Sequence, residues 1–292
     1  MSIINNAHSG SSLSLLCLID NILIKLKGSP SNEELLNICR PDGLAKKDNQ
    51  EGKFSQTLNF WVTEGLYVNE NGSIKLNHLY EKADSLSYRV LMCLLSNLSP
   101  ECDLDGDRAE RLFTSLACLL SIDQYTFYGK GYIESNMLVG KLNNESVVNI
   151  NGNYPSTLIE YGVFLGFFEY VEKFERSSRY ICDPTRAIEN VLDEIFSGEN
   201  ELQGGEFVKK LSEILPILDG GYYRTKVEAQ MHTKHNRINN EISASLSHAL
   251  FRLNVANKIG FVDRADNKES LTVRLPDGER SSISWIVDRR AS

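Results

Sequence analysis

One pattern of apolar and polar positions occurs three times along the chain, in residues 54–76, 156–183 and 247–275. In each copy, an apolar helical face ends at a glycine. An aromatic residue or a leucine then opens a strand, a charged turn and a returning strand. A repeat at domain-sized spacing is strong evidence about architecture. The pattern is typical of the last helix and the wing of a winged helix.

The first copy completes a winged helix-turn-helix order. Residues 12–27 carry leucine and isoleucine at helical spacing, and a Gly-Ser-Pro sequence ends this predicted helix. A short second helix is predicted after Ser31, which is a good N-cap residue, and a third helix over residues 54–65. Asn71-Gly72 lies between the short segments YVNE and SIKL and predicts a tight β-hairpin.

We predict a mostly α-helical protein with small β-hairpins, of the α+β class, built from tandem winged helix-turn-helix domains. A length of 292 residues is sufficient for two or three small domains. Linker-like composition at residues 99–107 and 197–205 divides the chain into three parts. These are a winged helix with a closing helix at residues 1–98, and winged-helix-like domains at residues 99–198 and 199–292.

Two further expectations concern the ends of the chain. In the third domain, residues 242–259 are predicted to form a long helix and residues 261–275 its wing. Residues 1–11 are small and polar, and we expect them to be flexible unless another segment covers them.

Composition limits how the protein could bind nucleic acid. The net charge of −8 and the pI of about 5.3 argue against a surface that is basic throughout. A nucleic-acid interface would therefore have to be a local patch that acts against the mean field of the protein.

The cysteines and the N-terminus indicate where the protein resides. Six cysteines are present, without a C-x-x-C pair and without a ligand-like histidine nearby. Three of them lie inside apolar helical segments, which predicts buried free thiols in a reducing cytosol. The N-terminus lacks the features of a signal peptide, and no apolar run approaches the ~20 residues that span a bilayer. These observations predict a cytoplasmic protein.

One short sequence formally matches a nuclease motif. Pro41-Asp42 is followed by Glu51-Gly52-Lys53, and the corresponding chemistry needs the acids and the lysine on adjacent strands around a metal. Here both halves lie in a polar region without β-branched flanks. An unrecognised or degenerate nuclease is therefore the least expected function.

Other candidate metal sites are incomplete. The three alternating aspartates of residues 103–107 lack the later glycine and the distant glutamate of a calcium loop. His232 and His235 have no third ligand and stand among basic residues, which would repel a cation. We predict no enzymatic activity, no cofactor and no metal.

Winged helices suggest a nucleic-acid interface. Their third helix lies in the DNA major groove, while the wing and the preceding turn contact phosphates. The first domain places basic and amide side chains at the corresponding positions. They are Lys46 and Lys47 before the third helix, and Lys53, Gln56 and Asn59 on its exposed side.

The third domain carries the most basic stretch, residues 222–237, ahead of its long helix. We predict that it is the strongest nucleic-acid face, formed by Arg224, Lys226, Lys234, His235 and Arg237, with Arg252 on the helix. An ordinary solvated face is the open alternative. The matching helix of the second domain is aromatic and acidic, and we expect it to pack on a protein instead.

The N-terminal run SLSLLCLIDNILIKLKGSPSNEELLNICRP and the following GKFSQTLNFWVTEGLYV resemble the DpdG proteins. DpdG proteins occur in bacterial gene clusters that insert 7-deazaguanine derivatives into DNA and restrict DNA that lacks them. The resemblance implies a non-catalytic DNA-binding or adaptor subunit of a restriction and anti-phage defence complex. Its partners would be DNA and ATPase, helicase or nuclease subunits. A homodimeric winged-helix transcriptional regulator is the alternative.

Overall fold

The computed structural model describes residues 2–26, 28–39, 48–80, 85–122, 133–174, 177–234, 240–264, 270–275 and 279–290. Within these residues the chain is mostly helical, and its strands pair as small antiparallel sheets. The predicted α+β class is therefore confirmed. None of the helices in this part of the chain is long and apolar enough to cross a bilayer.

The first third of the chain has the element order predicted from its sequence. The elements are α1 (Leu13–Leu26), α2 (Asn32–Cys39), α3 (Asp48–Glu64), β1 (Tyr67–Glu70), β2 (Ser73–Leu76) and α4 (Leu86–Ser96). Asn71 and Gly72 have φ angles of 54° and 87°, the left-handed conformation that a two-residue hairpin turn requires. Ser31 forms an isolated antiparallel β-bridge with Ser73, so the chain just before α2 lies beside β2.

The second third repeats this order. The elements are α5 (Glu110–Ser121), α6 (Ser135–Glu145), α7 (Pro155–Leu165), β3 (Phe168–Phe174), β4 (Ser177–Cys182), α8 (Thr185–Glu189) and α9 (Leu192–Phe196). Ile133 exchanges two backbone hydrogen bonds with Tyr180, of 2.7 and 3.0 Å. Ile133 thus has the position before α6 that Ser31 has before α2.

The last third departs from the predicted repeat. Its elements are β5 (Glu201–Gln203), α10 (Gly204–Ile214), α11 (Tyr222–Gln230), α12 (Ala244–Val255), β6 (Ile259–Val262), β7 (Leu271–Arg274), β8 (Arg280–Ile283) and β9 (Trp285–Asp288). The prediction of a wing over residues 261–275 was wrong, because β6 pairs with β9 and β7 pairs with β8. The apolar C-terminal strand β9 lies between β5 and β6, and its Ile286 is fully buried opposite Phe261.

The N-terminal segment is packed against the rest of the protein. Ile3 and Ile4 are both 0% exposed, and the Ile3 amide donates to the Arg108 carbonyl at 3.0 Å. The Tyr161 hydroxyl of α7 donates to the Gly10 carbonyl at 2.6 Å. Other segments thus cover residues 2–11, which is the exception that the expectation of flexibility allowed. Burial of the two isoleucines offsets part of the entropy lost on ordering this segment.

The three predicted domains share one core. The buried apolar side chains form a continuous cluster from Ile3 to Ile286. Polar contacts also join the thirds of the chain: Ser245 Oγ of α12 donates to the Leu120 carbonyl of α5 at 2.6 Å. The boundaries near residues 98 and 198 remain a prediction, but segments on either side of them pack together.

Candidate nucleic-acid interface

Helix α3 is held against the core by one apolar side. Phe54, Leu58 and Trp61 are at most 5% exposed. Thr57 is fully buried, and its hydroxyl donates to the Ser9 carbonyl at 2.8 Å. The helix ends at Gly65, whose φ of 92° is the left-handed conformation that commonly terminates helices. These contacts fix which side of α3 is turned to solvent.

The opposite side of α3 presents polar side chains at spacings of three and four residues. We call this surface the α3 face, and it consists of Lys53, Gln56, Asn59 and Thr63, all exposed. Thr63 Oγ1 donates to the main-chain carbonyl of Asn59 at 2.8 Å. This hydrogen bond leaves the side-chain amide of Asn59 available. Among the described residues, none forms an ion pair with Lys53. The α3 face therefore carries a positive charge and two amides that a ligand can reach.

The hairpin beside α3 adds no net charge. Lys75 Nζ on β2 lies 2.6 Å from Glu70 Oε2 on β1. Hydrogen bonding to Lys75 and its positive charge lower the pKa of Glu70, so the pair is ionised and neutral overall at pH 7. A phosphate contact from Lys75 would first have to break this pair.

Two basic side chains of helix α11 are engaged within the protein. Arg224 is 1% exposed, and its Nε donates to Glu228 Oε1 at 2.6 Å. Lys226 Nζ donates to the Pro100 and Cys102 carbonyls at 3.2 and 2.5 Å. The predicted nucleic-acid contact through Arg224 was wrong, because this side chain lies in the core. Lys226 is half-buried and joins α11 to the segment after α4.

Helix α12 packs on α8 and α5 and is no free recognition helix. Arg252 forms an ion pair with the fully buried Asp183. Lys258, just beyond the helix, lies 2.8 Å from Glu189 Oε1. Ser245, in the first turn of the same helix, is buried. Arg252 thus serves the packing of α12 on the chain after β4, and its predicted contact with nucleic acid stays a prediction.

The other predicted contacts stay predictions. Lys234 is exposed, and its Nζ donates to the Ala229 carbonyl at 3.1 Å. Lys46, Lys47, His235 and Arg237 lie outside the described residues. The structure therefore groups Lys53, Gln56 and Asn59 on one exposed surface of α3, and it places Arg224 in the core.

Comparison with known proteins decides the family. The sequence model of the DpdG-like family matches residues 1–267. The chain belongs to the DpdG-like family. No curated protein and no solved structure matches it significantly. Membership in the DpdG-like family is consistent with a role in a DNA modification and defence cluster.

The described half of the nuclease-like motif of this DpdG-like chain lies on a helix. Glu51, Gly52 and Lys53 lie within α3 and not on a strand. Asp42 lies outside the described residues. In the part of the chain that the structure covers, no group of three or more His, Cys, Asp or Glu side chains could hold a metal ion.

Two buried cysteines have the protonation state expected of buried thiols. All six are free, and Cys93, Cys118 and Cys182 are buried. Burial raises the pKa of Cys93 and of Cys118 to about 12, so both remain protonated at neutral pH. Thiolate chemistry at these two positions is therefore disfavoured.

Sequence reasoning missed a cleft beside the α3 face. It has a volume of about 760 Å³ and lies between the start of α1, the side of α7 and the β3–β4 hairpin. Lys53 lines it, as do Tyr170 and Tyr180. The aromatic residues of the β3–β4 hairpin are a signal that the sequence alone contains. Only the fold shows that they lie in the same cleft as a lysine from α3.

Proposed function

We propose that this DpdG-like chain is a non-catalytic DNA-binding or adaptor subunit of a prokaryotic DNA restriction and anti-phage defence complex. The observation that carries the proposal is the α3 face in a chain of this family. That face is exposed and is formed by Lys53, Gln56, Asn59 and Thr63. It lies on the helix that a winged helix would place in the major groove.

The side chains of the α3 face suit duplex DNA. Gln56 and Asn59 can each make two hydrogen bonds to adenine, and such a pair contributes about 1–3 kcal/mol of discrimination. Lys53 near the start of the helix can neutralise a phosphate. The face is small and the protein has a net charge of −8, so binding by this chain alone is expected to be weak. ATPase, helicase or nuclease subunits would add affinity within a complex.

We propose no reaction for this chain. The nuclease-like residues Glu51 and Lys53 lie on a helix, where they do not form the two-strand arrangement that metal-dependent cleavage requires. Cleavage of DNA with Mg²⁺, abolished by Glu51→Ala, would contradict this part of the proposal.

Binding to a labelled duplex, followed by fluorescence anisotropy across a salt series, tests the DNA-binding role. The variant Lys53→Ala/Gln56→Ala/Asn59→Ala is expected to bind at least roughly tenfold more weakly, with a salt slope smaller by about one unit for the lost lysine. The control variant Lys25→Ala/Gln230→Ala/Asn190→Ala removes the same residue types from other exposed positions. It should bind as the wild type does.

Equal binding by both triple variants would overturn the α3 face as the DNA contact. Protection of one palindromic site by a homodimer would instead identify a transcriptional regulator. Footprinting together with light scattering of the protein alone separates that outcome from binding as a subunit.

A further inference from the structure

The cleft beside α3 combines an aromatic wall with a polar end. We call it the tyrosine cleft. Tyr170 and Tyr180 line it on the hairpin side, Phe164 on the α7 side, and Lys53 with Ser12 and Ser14 on the side of the first domain. Tyr170, Lys53 and Ser14 are all exposed, so the cleft is open at its rim. Its volume of about 760 Å³ is within the usual range for ligand sites.

The aromatic wall is held in place by the hairpin. The rings of Tyr170 and Tyr180 meet edge to face, with centroids 5.7 Å apart and an interplanar angle of 69°. Tyr170 nevertheless remains 51% exposed. A β-bulge follows it at once: Tyr170 pairs with Tyr180 and Glu172 with Arg179, so Val171 is the extra residue. Bulges of this kind re-aim side chains next to functional sites.

The polar end favours an anion. Among the described residues, no carboxylate neutralises Lys53 by an ion pair. Ser12 and Ser14 lie at the start of the 14-residue helix α1, whose first turn contains no acidic residue. Helix α7 also begins at the cleft, and its first turn is likewise free of acidic residues. Both helix starts direct backbone N–H groups and a partial positive charge toward this region.

We propose that the tyrosine cleft binds a nucleotide of a single-stranded nucleic acid, with the base stacked on Tyr170 and its phosphate toward Lys53 and the start of α1. An aromatic platform beside a cation is the combination that recognises single strands. Glu160, a carboxylate among the described lining residues, can accept hydrogen bonds from the amino group of a base.

The open rim favours a strand over a free nucleotide. A strand must enter and leave the cleft at its two ends, which exposed residues on both sides allow. The inference rests on the proposed nucleic-acid function and extends it, because duplex recognition by the α3 face leaves Tyr170 unused. One protein surface would then contact paired DNA through α3 and an unpaired nucleotide through the adjoining hairpin.

Fluorescence of a single-stranded oligonucleotide that contains 2-aminopurine tests the stack directly, and anisotropy of a labelled strand gives the affinity. Binding is expected to quench the 2-aminopurine. Tyr170→Ala should weaken strand binding by roughly 5- to 100-fold and abolish the quenching, as loss of one base–aromatic stack does. Tyr170→Phe keeps the ring and should retain both signals.

Tyr222→Ala is the matched control. Tyr222 is also exposed, at 39%, and also meets a neighbouring tyrosine ring, Tyr223, edge to face. It lies outside the tyrosine cleft and should not affect strand binding. Equal strand binding by Tyr170→Ala and the wild type would overturn the inference. So would a mononucleotide that binds as tightly as the strand.

The proposed function and this inference can fail separately. Loss of duplex binding on substitution of Gln56 and Asn59, without any single-strand binding by the wild type, would support the α3 face and overturn the cleft. Single-strand binding that depends on Tyr170, without duplex binding, would support the cleft and contradict the duplex-binding role. Thermal denaturation of each variant shows whether it is folded.

Discussion

Arg252 of α12 forms an ion pair with Asp183, a carboxylate at the end of β4 that has no exposed surface. The Thr185 amide also donates to Asp183, at 2.9 Å, and His248 Nε2 lies 3.6 Å from Oδ2. A buried carboxylate is stable only when it is paired and hydrogen-bonded. Arg252 therefore supplies the positive charge that stabilises the buried carboxylate where α12 packs on the chain after β4.

The first prediction concerns this pair. Arg252→Gln should lower the free energy of unfolding by about 1–3 kcal/mol, which lowers the melting temperature by several degrees. It should leave the affinity for duplex DNA unchanged. The loss falls below the range for fully buried pairs because 44% of the Arg252 side chain is exposed. Thermal denaturation and anisotropy measure the two effects.

Lys75→Gln is the control for Arg252→Gln. Lys75 is also 44% exposed, but its partner Glu70 is 57% exposed and remains solvated without it. We expect this change to lower the free energy of unfolding by at most about 0.5 kcal/mol. A weaker duplex affinity for Arg252→Gln at unchanged stability would show that Arg252 contacts DNA after all.

A second prediction follows from His248. Burial is the main cause that lowers its pKa, Arg252 acts in the same direction, and Asp183 opposes them. The unfolded state therefore binds a proton more readily than the folded state. Stability is fully present above about pH 6.5, the unfolded value, and falls as the pH decreases through that value.

Denaturant unfolding between about pH 7.5 and pH 5.5 checks this pH dependence. His248→Gln should show a smaller loss of unfolding free energy over this interval than the wild type. Burial also lowers the pKa of His8, so part of the loss should remain in the variant. An unchanged pH dependence in His248→Gln would contradict the assignment.

Local turn chemistry explains why the first hairpin could be predicted. Asn71 and Gly72 both accept positive φ, and the two-residue turn then fixes the register of β1 and β2. The strand pairing in the last third of the chain could not be predicted in the same way. Whether β6 pairs with β7 or with β9 depends on tertiary competition between two apolar strands, and the spacing of residues does not encode that choice.

The candidate site also shows that residue spacing predicts local structure but not tertiary packing. Lys53, Gln56 and Asn59 were assigned to one exposed helix face, which follows from helical periodicity alone. Arg224 was assigned to the surface because of its charge, although it lies in the core. The glutamate four residues later, Glu228, is the local signal for an internal pair. Periodicity places a residue on a side of its helix, but packing decides whether that side is exposed.

The third prediction concerns a buried charge pair between α1 and α4. Arg89 Nη2 of α4 lies 2.5 Å from Asp20 Oδ2 of α1, and both side chains are at most 5% exposed. Arg89→Met should lower the free energy of unfolding by about 3–5 kcal/mol because it leaves Asp20 buried without its ion-pair partner. The double variant Asp20→Leu/Arg89→Met should recover most of this loss. Denaturant unfolding of the single and double variants measures it, and an equally unstable double variant would contradict the argument.

The last prediction concerns Gly10, through which the N-terminal segment meets α3. A Cβ atom at Gly10 would lie 2.4 Å from Phe60 Cε1, whereas one at Gly152 would meet nothing within 4 Å. Phe60 also contacts the buried Trp61 edge to face, with centroids 5.0 Å apart, so it has little freedom to move.

Gly10→Ala should therefore destabilise the protein by about 1–3 kcal/mol through overpacking, whereas Gly152→Ala should be neutral or slightly stabilising. Thermal denaturation compares the two. Because Phe60 adjoins Asn59 on α3, a displaced ring should also disturb the α3 face, and Gly10→Ala should weaken duplex binding while Gly152→Ala does not. Equal stability of the two alanine variants would mean that the N-terminal segment is not packed on α3 in solution.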